Sequence, residues 1–143
     1  MDIETSREGM AQELSRLRSS KLATQAGWEV FHEDLLVFVG MRSRRTPGQL
    51  YLLRASFDEY PKRAPSILFV DPATKAPSAD AWPPGLQHST NPPGICTPGT
   101  REFYEHFHKN QQQHAWDRAK HSLLATVHEI QRLVDTCGQE KFA

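Results

Sequence analysis

Only two cysteines occur in the 143 residues, Cys96 and Cys137, 41 positions apart. A disulfide framework is therefore excluded, and no Cys-x-x-Cys pair exists to hold zinc or exchange disulfides. Free thiols in a reducing compartment are expected. Net charge is lacking too. Lys plus Arg total 17 and Asp plus Glu total 17, so the basic excess of a general nucleic-acid binder is absent. No apolar run reaches the roughly 18 residues that a membrane span requires. The opening "MDIETSREGM" has no apolar signal core. Together these predict a cytoplasmic protein without nucleic-acid or membrane partners. There is no internal repeat and no low-complexity tract. What the chain does have is enough apolar material, 38% of its residues, to bury a core as one domain spanning residues 1–143.

Periodicity divides that domain. Ile3, Met10, Leu14 and Leu17 recur at spacings of 7, 4 and 3, which predicts a helix over residues 3–20 with Arg7, Glu13, Arg16 and Arg18 on a polar face. "WEVFHED", "LLVFVGMRSR" and "LYLLRASF" read as strands, the last two joined by the turn "TPGQ" (Thr46 to Gln49). Arg42, Arg44 and Arg45 sit at that hairpin tip. "SILFVD" (Ser66 to Asp71) is a fourth strand, and Pro61 and Pro65 keep its approach extended. The last helix is predicted over residues 115–136, with Leu123, Val127, Ile130 and Val134 as its apolar stripe and Gly138 beyond its end. The result is an α+β domain: N-terminal helix, four-stranded antiparallel meander, irregular segment, C-terminal helix.

The irregular segment, Pro72 to about Gln113, carries the chemistry. Long loops in compact domains are commonly functional, and Trp82, Ile95, Phe103, Tyr104 and Phe107 supply side chains to pack this one. "NPPGICTPGTREFYEHFH" sets Cys96 between Gly94 and Gly99, where close approach of another group is possible. A reactive cysteine needs partial exposure and donors for a thiolate or a developing oxyanion. The candidates are the N–H groups of Cys96 and Thr97, with Asn91 and His88 five and eight residues upstream. A metal reading draws on Cys96, His106, His108 and His114, but their spacing fits no familiar finger. The aromatics of "FYEHFH" are expected to pack under the loop and leave His106 and His108 solvated. His121 and His128, seven apart, are expected at the surface of the last helix, and Cys137 at its end.

In its order of elements and its motifs the chain resembles the ubiquitin-conjugating enzymes. Their Tyr-Pro-x-x-x-Pro-x-x-x-Phe junction is matched by Tyr60, Pro61, Pro65 and Phe69, their Gly-x-Ile-Cys-Leu segment by "GICT", and their helix-leading Trp by Trp116. The likeness covers roughly residues 3–136 and is strongest to the bacterial relatives found with adenylating enzymes and ubiquitin-like proteins. It implies the ubiquitin-conjugating-enzyme-like fold and a thioester carrier that needs no cofactor. Cys96 would take a ubiquitin-like protein from an adenylating activating enzyme and pass it to an amine. The family's His-Pro-Asn motif is missing: its asparagine position is held by His88, so His88 or Asn91 would supply the oxyanion donor. The first helix, with Arg7, Arg16 and Arg18, would be the docking surface for the activating enzyme. The competing expectation is an inactive protein of the same fold that binds a ubiquitin-like protein or scaffolds a complex.

Overall fold

The computed structural model describes residues 2–86, 94–109 and 115–136. Helix α1 spans Ile3–Arg18, and Asp2 caps it by accepting from the Glu4 N–H. Such a cap satisfies one of the helix's orphan donors. A short helix α2, Lys21–Ala26, follows and stops at Gly27, whose φ of 71° is left-handed. The meander is as expected: β1 Glu29–Glu33, β2 Leu36–Arg42, β3 Leu50–Ser56 and β4 Ser66–Val70, paired antiparallel in the order β1-β2-β3-β4. The last helix, α3, is Leu123–Thr136.

Strand alternation distributes the apolar residues over two sheet faces. Val37, Val39, Leu53, Ala55, Ile67 and Phe69 meet Leu14 and Leu17 of α1 and Val127, Ile130 and Val134 of α3 in the main core. On the opposite face Phe38, Leu52 and Val70 form a smaller cluster with Phe31. The Phe31 and Phe38 rings stack at 4.9 Å, and the Lys75 ammonium lies 5.2 and 5.6 Å from their centroids. Among the described residues no helix is long and apolar enough to cross a membrane.

Two expectations for the helices need correction. Ile3 is not a core residue but is 48% exposed, and Glu13 is not on a solvated face but buried. The Glu13 carboxylate accepts from the Leu123 N–H at 2.9 Å. It meets an orphan donor at the start of α3, where negative charge is favoured. The C-terminal helix also begins later than residue 115. Trp116 precedes it, and a turn at residues 118–120 intervenes. Ser122 caps the helix instead, accepting from the Ala125 N–H, so His121 lies before α3 and only His128 is on it.

Candidate functional site

The connection between β3 and β4 is the platform of the site. Pro61 and Pro65 carry no N–H and hold this stretch out of the ladder, so its carbonyls are open to side chains. Ser6 Oγ donates to the Tyr60 carbonyl at 2.7 Å, tying in α1. Trp116 Nε1 donates to the Pro61 carbonyl at 2.8 Å. Arg101 takes two more: its Nε donates to the Ala64 carbonyl at 3.0 Å and its backbone N–H to the Pro65 carbonyl at 2.9 Å. The first helix, the Cys96 loop and the approach to α3 are all anchored here. Trp116 thus has a definite role as a strut against the platform.

Downstream of Cys96 the chain makes one wide helical turn, Phe103–Phe107. The "TRE" before it is buried, although such residues usually face water. Thr100 Oγ1 bonds the Ile95 and Thr97 carbonyls at 3.2 and 3.0 Å, closing the loop on itself. Glu102 accepts from Ser66 Oγ at 2.6 Å and from the Ile67 N–H at 3.0 Å, gripping the start of β4. Arg101 reaches Asp58 at 2.7 Å, and Arg63 bonds Glu105 through both carboxylate oxygens.

These pairs set the charge state of two carboxyls. Burial disfavours the Asp58 carboxylate, but Arg101 and the Ser56 hydroxyl outweigh it and hold the group below its ordinary value. For Glu105 the hydrogen bonds from Arg63 dominate, against partial burial, and its value is likewise lowered. A carboxyl depressed in the fold stabilises it fully above the unfolded value. That contribution is lost as pH falls through the folded value. Thermal unfolding is therefore expected to show a Tm that falls once pH drops below about 4. Glu105→Gln should make that fall shallower; a profile parallel to the wild type would exclude the Arg63 pair as a contributor.

Cys96 sits inside this clamp. Its thiol is half-buried, and burial raises it above the ordinary thiol value, so the neutral S–H form prevails at neutral pH. Its flanking glycines are required by contact. A Cβ on Gly94 would lie 2.8 Å from Glu102 Cβ and 3.2 Å from the Phe107 ring. A Cβ on Gly99, whose φ is 98°, would lie 2.0 Å from Thr126 Oγ1 on α3. The Thr97 N–H is not an open donor as expected: it bonds the Ile95 carbonyl at 2.9 Å. The Gly99 N–H bonds the Tyr104 hydroxyl at 3.0 Å. Beside the loop runs a shallow groove of about 330 Å³ lined by Thr97, Pro98, His121, Ala125, Thr126 and Glu129.

Among the described residues, His108 brings a ring nitrogen to the sulfur. Its Nε2 stands 3.6 Å from Cys96 Sγ. The expectation that both histidines of "FYEHFH" are solvated holds for His106, which is exposed, and fails for His108, which is half-buried. The wide turn swings the chain so that His108 returns toward the loop, and its ring rests on Phe103 at 4.2 Å. His88, Asn91, His114 and Cys137 lie outside the described residues. Among the described residues no three His, Cys, Asp or Glu side chains come together as a metal-binding group.

Arg7, Arg16 and Arg18 do not form one patch. Arg7 pairs with Glu4 and Asp34, whereas Arg16 pairs with the buried Glu13. Nine residues, or two and a half turns, separate Arg7 and Arg16, which places them on opposite sides of α1. Arg18 lines a separate groove with Met10, Leu14 and His32.

No family model matches the chain, and no curated protein matches it. Sequence reasoning missed Arg101 and Glu102, and it weighed His108 only as a metal ligand or a solvated side chain. The only signal for the first two is their setting: a consecutive cation and anion amid Pro, Gly and aromatic residues. His108 has no periodic signature at all, because a wide helical turn places it.

Proposed function

We propose that the protein is a thioester carrier of the ubiquitin-conjugating type, with Cys96 as the residue that is loaded. One observation carries this reading: the thiol lies on an irregular loop, part-exposed, beside an imidazole, and the loop is clamped by Arg101 to the Tyr60–Pro65 platform and by Glu102 to β4. A thioester exchange is close to isoenergetic, so accurate positioning contributes more than strong activation of the sulfur. The groove along Thr97, Pro98 and α3 would receive the extended C-terminus of a ubiquitin-like protein. An adenylating enzyme would deliver it, and an amine, such as a target lysine, would remove it.

Incubation with ATP, a cognate adenylating enzyme and its ubiquitin-like protein is expected to give an adduct that reducing agent cleaves. Cys96→Ala should abolish it. Persistence of the adduct in Cys96→Ala, or its transfer to Cys137, sinks the assignment. The second reading, an inactive protein of this fold that binds a ubiquitin-like partner, is favoured by the engaged Thr97 N–H and by the raised thiol. It predicts non-covalent binding with no adduct.

A further inference from the structure

We propose that His108 is the general base of the Cys96 reaction, accepting the thiol proton at Nε2 as the sulfur attacks. This deepens the carrier reading and rests on it for the identity of the electrophile; the pairing of the two side chains rests on geometry. At 3.6 Å, Nε2 is within reach of an S–H donor. The imidazole has a fixed seat. Its ring lies tilted by 41° on Phe103, and the His108 N–H donates to the Phe103 carbonyl at 2.8 Å. Phe103 is itself buried, and its N–H bonds Thr100 Oγ1 at 3.2 Å. Thr100 in turn bonds the carbonyls on both sides of Cys96. Base and nucleophile are thus held by one hydrogen-bonded unit.

The other titratable groups of this turn are engaged elsewhere or face water. Arg101 holds Asp58, Glu102 holds β4, the Tyr104 hydroxyl accepts from the Gly99 N–H, Glu105 holds Arg63, and His106 and Lys109 are exposed. Burial keeps the resting thiol protonated, so a base is needed at the moment of attack rather than a preformed ion pair.

In the first step the sulfur bonds to the thioester carbonyl carbon while the S–H proton passes to Nε2. The tetrahedral intermediate collapses by breaking the bond to the donor's sulfur, and that thiolate takes the proton from the imidazolium. In the second step an amine attacks the Cys96 thioester, Nε2 accepts a proton from the amine nitrogen, and Cys96 departs as the thiolate that recovers it. Both steps are acyl transfers without oxidation or reduction.

The test is alkylation by iodoacetamide from pH 5 to 10, with the Cys96 peptide quantified by mass spectrometry so that Cys137 does not contribute. The wild-type rate is expected to rise in two stages, the first requiring the imidazole as base and the second where the thiol itself ionises. His108→Gln should keep only the second rise and react about ten- to a hundredfold more slowly at pH 7. His108→Phe, which keeps a ring on Phe103, should behave the same way. A single wild-type rise at the thiol's own ionisation, or wild-type rates in both variants at pH 7, overturns the proposal. Should both variants unfold, the wild-type profile decides. No activating enzyme is used, so the two readings fail separately. A two-step profile without adduct formation removes the carrier reading alone, and adduct formation with a one-step profile removes His108 alone.

Discussion

Gly99→Ala is expected to destabilise the protein by about 3 kcal/mol or more, an effect far beyond that of an ordinary surface methyl. Two independent costs combine. The first is conformational: at φ 98° a residue with a Cβ is strained by about 1–2 kcal/mol. The second is steric. The new methyl would lie 2.0 Å from Thr126 Oγ1 and 3.1 Å from its Cβ. A change of Thr126 rotamer would break its bonds, because Oγ1 donates to the Ser122 carbonyl at 3.1 Å and faces the Pro98 carbonyl at 3.5 Å. Loop and helix must separate. Cys96, three residues away, then shifts relative to His108, and its alkylation rate should change with stability. Urea denaturation of Gly99→Ala, Thr126→Ala and the double variant checks this. The double variant should recover the steric part and not the conformational part, giving a favourable coupling of about 1–2 kcal/mol. A Gly99→Ala protein within about 0.5 kcal/mol of the wild type would show that the loop does not press on α3.

Tyr60→Ala is expected to cost about 3–5 kcal/mol, the range for truncating a large buried aromatic. Tyr60 is 2% exposed and is among the largest fully buried side chains. Its ring packs at 4.8 Å from Phe57, at 6.2 Å from Trp116 and under the Arg118 guanidinium at 5.1 Å. On α1, Gly9 makes room for it: a Cβ there would lie 2.6 Å from the ring. One side chain therefore joins α1, the platform and the approach to α3. Tyr60→Phe should cost no more than about 1 kcal/mol, since it keeps the ring and loses only the hydroxyl. Burial raises the Tyr60 hydroxyl's ionisation, so the side chain stays neutral through the physiological range. Chemical denaturation of the two variants separates packing from hydrogen bonding. A loss below about 1.5 kcal/mol in Tyr60→Ala would mean that Phe57 and Trp116 close over the space.

The order of elements was legible in the chain because it depends on local chemistry. The meander follows from alternation in "LLVFVGMR", "LYLLRAS" and "SILFV" and from turn residues between them, and the observed register keeps Val37, Val39 and Leu53 on one face. The apolar stripe of α3 was equally plain. Its start was not, because the run from Ala115 to His121 has no Gly or Pro; the bond of Trp116 to the Pro61 carbonyl and the turn that Asp117 closes on the Ala119 N–H hold it out of the helix. Cys96 stood out by composition, with glycines whose necessity the contacts with Glu102 and Thr126 explain. Periodicity reports which side chains are apolar, and this is what the sequence determined by itself: an α+β domain with a thiol on its irregular segment. It carries nothing about which buried charge meets which carbonyl. Glu13 on α3, Arg101 on Ala64, Glu102 on β4 and His108 on Cys96 join residues distant in the chain or separated by an irregular turn. Only tertiary structure decided them, because a polar group's burial becomes affordable only when its partner is already in place.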